Sequence, residues 1–159
     1  MSYDDNPFPA GDPDRHAIWE MLVRRDIDAF LAHDWNAVAG DFVTSGFFGI
    51  SGNRSGNPDN WTIAFPTLEA YRDSWLGETI DQADFAEALR PALFRVSTLR
   101  DIEIASERAL AHKKFDGEIA RQDGGAQRMQ WQSVYHLHKV GGVWKIAGFN
   151  GYMPNPMGA

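Results

Sequence analysis

Asp26 is the residue of this chain whose position asks for chemistry. It falls inside EMLVRRDIDAF, residues 20–30, a segment with helical periodicity. At about 100° per residue, Ile18, Trp19, Ala29, Phe30 and His33 lie within about 80° of Leu22, and Asp26 lies only about 40° from it. A carboxylate on that apolar arc must be paired, protonated, or facing something other than a dry core. In an apolar cavity it would carry a raised pKa and act as a general acid or base near neutral pH. The bland alternative is a structural aspartate held by Arg25, by a strand hydroxyl or across a dimer contact. Arg24, on the opposite side of the helix, is a poor partner.

A second group comes from the strand-like run RMQWQSVYHLHKV. Alternation puts Met129, Trp131, Ser133, Tyr135 and Leu137 on one face and Gln130, Gln132, Val134, His136 and His138 on the other. The first set suits a pocket wall, apolar with a pair of hydroxyls. In the next strand Trp144, Ile146, Gly148, Asn150 and Tyr152 share a face unless a bulge inverts part of it. Ser133, Tyr135 and Asn150 would then orient a ligand near Asp26, with Trp19, Leu22, Phe30, Trp61, Trp131 and Tyr152 as apolar lining. For Tyr135 the competing reading is a core tyrosine with its hydroxyl at the rim. His136 and His138 share a strand face but lack a third ligand by spacing, so surface histidines are expected rather than a metal site. His112 is a weaker pocket candidate.

The elements that must hold these residues follow from caps and breakers. Residues 1–12 carry two prolines and a glycine and read as a tail, mobile or surface-bound. Residues 13–159 read as one domain. Asp12 caps a helix with Pro13 in its first turn, running to about His33. Asp34 opens a shorter one, FFGIS is a brief strand, and Thr67 caps a third helix that Pro91 stops. Residues 51–66, in which SGN occurs twice, are turn-rich and long enough for a lid or an interface loop. From Phe94 onward the period is that of strands, with VGG as the last turn. Helices first and an antiparallel meander after make an α+β domain.

The totals limit the function classes. A chain of 159 residues with 43% hydrophobic content and 23% charged content is globular rather than disordered. A net charge of −7 without a Lys/Arg cluster argues against nucleic acid and anionic membranes as partners. The absence of cysteine excludes disulfides and thiolate chemistry and fits a cytoplasmic protein. No signal-peptide pattern or long apolar run is visible. Six tryptophans suit a lined pocket or an oligomer interface.

Taken together, a capped helix ending in HDW, a short second helix and a terminal hairpin YHLHKVGGVWKIAGF resemble the nuclear-transport-factor-2-like superfamily, and within it the SnoaL-like and scytalone-dehydratase-like branch. The resemblance spans residues 14–152 and implies a cone: a curved sheet around the N-terminal helices, an internal pocket, and commonly a homodimer. Members include isomerases, dehydratases, cyclases, epoxide hydrolases and proteins with no chemistry. Their catalytic sets are not retained. Where ketosteroid isomerases carry a tyrosine, a base and a protonated acid, this chain has Asp26, Ile50 and a position near Ser133. Phe30, Leu31 and Ile50 stand where scytalone dehydratases carry tyrosine, aspartate and tyrosine, and the epoxide-hydrolase relay is missing. The expectation is a pocket for a small, mostly apolar molecule, without metal or organic cofactor. Asp26 and Tyr135 would carry proton transfer, or the same fold would bind or assemble without catalysis.

Overall fold

The computed structural model describes residues 2–152, with Tyr152 given by its backbone only. The first helix is continuous but not uniform. It runs as α1 (Pro13–Trp19), a π-helical stretch (Glu20–Arg25) and α2 (Asp26–Ala32). The Asp12 carboxylate accepts the Arg15 N–H at 3.2 Å, and Pro13, which has no N–H to lose, opens the first turn. His33 ends the run in the left-handed conformation at φ 52°. α3 (Asn36–Ala39) follows without a side-chain cap, so the capping role expected of Asp34 is not taken up.

Thr67 caps α4 (Leu68–Gly77) as expected. Pro91 does not stop that helix. It sits in the first turn of a separate one, α5 (Leu89–Val96), where the N–H it lacks would have no intrahelical acceptor anyway.

Six strands form one sheet in the order β2-β1-β6-β5-β4-β3. They are β1 (Phe48–Ser51), β2 (Thr62–Phe65), β3 (Ser97–Ala105), β4 (Arg108–Ala120), β5 (Ala126–Val140) and β6 (Val143–Tyr152). All neighbours are antiparallel except β1 and β6, which run parallel with Phe48 beside Gly148. β5 and β6 are joined by Gly141-Gly142, both at positive φ, as a two-residue hairpin requires. The sheet is curved and unclosed, and its concave face receives α1, the π stretch, α2 and α5. The core there includes Ile18, Leu22, Phe94, Leu99, Ile119 and Leu137, all nearly inaccessible.

Residues 2–12 lie along the helices. Asn6 donates to the His16 carbonyl and to Glu20, and Arg24 donates to the Asp4 carbonyl. Of the two forms expected of the tail, these bonds are those of a surface-bound segment. In residues 51–60 both SGN copies make the same turn: Ser51 Oγ accepts the Asn53 N–H and Ser55 Oγ the Asn57 N–H, each at 3.1 Å. The segment then enters the sheet as β2, and Phe65 packs 5.3 Å from the Tyr71 ring.

Candidate functional site

The inner end of the first helix meets the sheet at Asp26. Its partner is Lys113 of β4, whose side chain is only 1% exposed while that of Asp26 is 37% exposed. Lys113 Nζ donates to Asp26 Oδ2 at 2.8 Å and to the Leu22 carbonyl at 2.6 Å. It also lies 4.9 Å from the centre of the Phe115 ring, which stacks on Trp131 at 4.3 Å. The buried ammonium thus has an ion pair, a carbonyl and an aromatic face in place of water. Sequence reasoning missed Lys113. The signal was there: two consecutive lysines in a strand point to opposite faces, so with one face of the sheet covered, one of Lys113 and Lys114 points inward. Arg25, considered as a partner for Asp26, turns instead to Asp41, with both bonds at 2.8 Å.

A cavity of about 10 Å³, room for about one water molecule, lies beside this pair. Met21, Leu22 and Asp26 of the helix, Tyr71 of α4, Tyr135 of β5 and Ile146 of β6 are among its walls. Asp26 Oδ1 and the hydroxyls of Tyr71 and Tyr135 make no protein hydrogen bond among the described residues. Burial pushes the Tyr71 phenol above its ordinary 10.0, and the negative charges of Asp26 and Glu78 add to the effect. Tyr135 is raised likewise, first by burial and then by Tyr71 and Asp26. Both phenols therefore stay protonated at neutral pH and are donors on residues that line the same cavity as Asp26. Behind Tyr71 the wall is aromatic: Trp35, Phe42, Phe47, Phe65 and Phe149 all lie within 6.1 Å of its ring centre.

The expected site residues divide. Asp26, Leu22 and Tyr135 meet at the cavity. Ser133 pairs with Lys113 across the β4–β5 ladder, on the same face. Trp131 stands one step further along that face, over Phe115. Trp19 is elsewhere, buried against Phe94 at 6.4 Å beneath the Arg24 guanidinium. Phe30 packs edge-on against Trp75, and Trp61 lies between the 58–60 turn and β2, away from the cavity lining. Asn150 must be corrected. The register slips between His136 and Leu137, leaving Ala147 as an extra residue on β6, so Phe149 faces inward and Asn150 outward. There its Oδ1 lies 3.0 Å from His136 Nε2. His112 is also on the outer side, bonded to Gln132, and is no pocket residue. The Tyr152 side chain lies outside the described residues.

No protein-family model matches the sequence, and no curated protein matches it. Solved structures do match by shape. An NTF2-like protein of unknown function from Shewanella baltica aligns at 18% identity and TM-score 0.54, over 90% of this chain and 96% of that one. An NTF2-like superfamily protein from Salmonella enterica aligns at 17% identity and TM-score 0.54, over 89% and 92%. An NTF2-like protein with a cystatin-like fold from Novosphingobium aromaticivorans aligns at 13% identity and TM-score 0.56, over 91% and 84%. Near-complete coverage of these chains at TM-scores of 0.54 to 0.56 shows the fold: the chain has the nuclear-transport-factor-2-like fold.

Proposed function

We propose that this protein binds a small, mostly apolar molecule in the cone interior and moves a proton at that molecule's polar group. This places it among cofactor-independent isomerases, dehydratases or cyclases of the SnoaL-like kind. One observation carries the reading: a carboxylate oxygen and two protonated phenols, none with a protein hydrogen bond among the described residues, surround one cavity inside an aromatic wall. Asp26 Oδ1 would take or return the proton while Tyr135 and Tyr71 donate to the oxygen on which charge develops. The cavity holds about one water, so a larger ligand enters only if part of its wall yields. We take the protein to act as a cytoplasmic homodimer, in which the outer sheet face around exposed Leu110 is covered by a second copy.

A second reading is a non-catalytic ligand-binding or dimeric interaction domain of the same fold. The small cavity and the lysine clamped on Asp26 favour it. The two readings separate by incubating the protein with cyclopentanone or 2-tetralone in D₂O and following α-C–H exchange by NMR. The catalytic reading expects exchange that Asp26→Asn lowers by about 10²-fold or more and that Tyr135→Phe lowers less. Equal rates in wild type and Asp26→Asn would leave the binding reading standing.

A further inference from the structure

The π-helical stretch is where the two halves of the first helix change phase. A π turn carries one residue more than an α turn, so its presence rotates α2 relative to α1 by about 100°. The halves are held from different sides. α1 is tied to the sheet by Asp14, which accepts from Lys139 at 2.9 Å and from Trp144 at 3.0 Å. α2 is tied to α5 by Asp28, which accepts from Arg90 at 2.7 Å. Between them the bonding is irregular. In an α-helix the Asp26 N–H would go to the Leu22 carbonyl; here it goes to the Val23 carbonyl. The Leu22 carbonyl accepts the Lys113 ammonium instead, and the same ammonium holds the Asp26 carboxylate.

We propose that Lys113 is the positioning residue of this site: it pins the π turn through the Leu22 carbonyl and fixes Asp26 through Oδ2, so that Oδ1 alone is presented to the cavity. This rests on the proton-transfer reading above for its functional half and on geometry alone for its structural half. Lys113 touches no ligand in this scheme. It acts through Asp26, and its burial is what makes it rigid, because no water competes for its bonds.

The test uses the chain's lack of cysteine. Lys113→Cys has a single thiol, which can be alkylated with 2-bromoethylamine in denaturant and refolded, giving a lysine isostere. Three samples are compared: wild type, Lys113→Cys, and Lys113→Cys after alkylation. Backbone amide exchange of residues 22–27 is expected on the order of tenfold faster in Lys113→Cys, the worth of about one charge-assisted hydrogen bond. Amides of residues 16–18 should keep their protection, and alkylation should restore 22–27. With 2-tetralone, kcat should fall about 100-fold with KM little changed, and alkylation should restore most of it.

Unchanged protection of 22–27 relative to 16–18 in Lys113→Cys would overturn the proposal. So would loosening that alkylation fails to reverse. If wild type shows no C–H exchange with the ketone, the proton-transfer reading falls, and the amide data still decide the pin. If Lys113→Cys does not fold, the decision passes to wild type. A scalar coupling between Lys113 Nζ and the Leu22 carbonyl carbon is then expected, and its absence overturns the pin.

Discussion

Residues 25 and 26 are neighbours on one helix, and each holds an ion pair to a distant segment, but the pairs are built in opposite senses. In Asp26–Lys113 the cation is sealed, at 1% exposure, and the carboxylate is the wetter partner. In Arg25–Asp41 the cation is 43% exposed and the carboxylate, at 15%, is the more buried. An ion pair with one dry member is not symmetric to mutation. Removing the wet partner strands a buried charge, while removing the dry one leaves an ion that water can serve. The two pairs therefore differ in which side chain the fold depends on.

The largest expected effect is at Asp26. Asp26→Leu strands the Lys113 ammonium and should cost about 3 kcal/mol or more of stability, read as a lower midpoint in urea unfolding at pH 7. A catalytic carboxylate in a merely apolar pocket would have given an unchanged or higher midpoint on replacement. An unchanged midpoint here would mean that Lys113 finds other partners. Lys113→Met should cost less, about 1 kcal/mol, because an apolar side chain fills the same space and Asp26 can hydrate. If it cost more than Asp26→Leu, the asymmetry argument would be broken.

Arg25→Met removes the wetter partner of the second pair, but Asp41 keeps 15% exposure and partial hydration, so the cost should stay at about 1 kcal/mol, above that of Asp41→Asn in the same titration. The smallest effect concerns a third pair, Asp14 with Lys139. The Lys139 hydrogen bond, then that of Trp144, holds the Asp14 carboxyl below its ordinary 3.8. A group lowered on folding stabilises above its unfolded pKa, and that stability is lost as pH falls through the folded value. The gap in unfolding free energy between wild type and Asp14→Asn should thus be constant above about pH 5 and shrink on acidification. A gap that widens in acid would refute the sign.

What could be read from the sequence depended on how local its cause was. The Asp12–Pro13 start, the His33 end, the Thr67 cap and the Gly141-Gly142 turn are each set by a few adjacent residues, and all appear where expected. The inward side of Tyr135 followed from simple alternation, while Asp26 lines the cavity although the π turn breaks the uniform 100° count behind its expected position. At Asp34 and Pro91 a local signal was assigned to the wrong role, but the failures at the site itself are non-local. Asn150 was displaced by one extra residue at Ala147, which no residue type announces. Lys113 meets Asp26 across 87 positions, a distance that only the register of the sheet determines. Tyr71 reaches the cavity from a helix whose place over the sheet is a packing result. The shared face of the strand was legible, and the partner that crosses it was not.

The parallel seam between β1 and β6 has a consequence for how the molecule assembles. Phe48 pairs with Gly148, so the chain must close a loop of 100 positions before that contact forms. The β5–β6 hairpin closes over two glycines and gains its hydrogen bonds with almost no loop entropy to overcome. Loop-closure entropy therefore favours the hairpins forming before the seam, which brings β2 and Phe65 against Tyr71. At Gly148 a side chain would meet the Phe48 carbonyl at 2.6 Å, so this closure tolerates nothing larger than glycine. The wall of the cone interior thus depends on a long loop closure and on one position without a side chain.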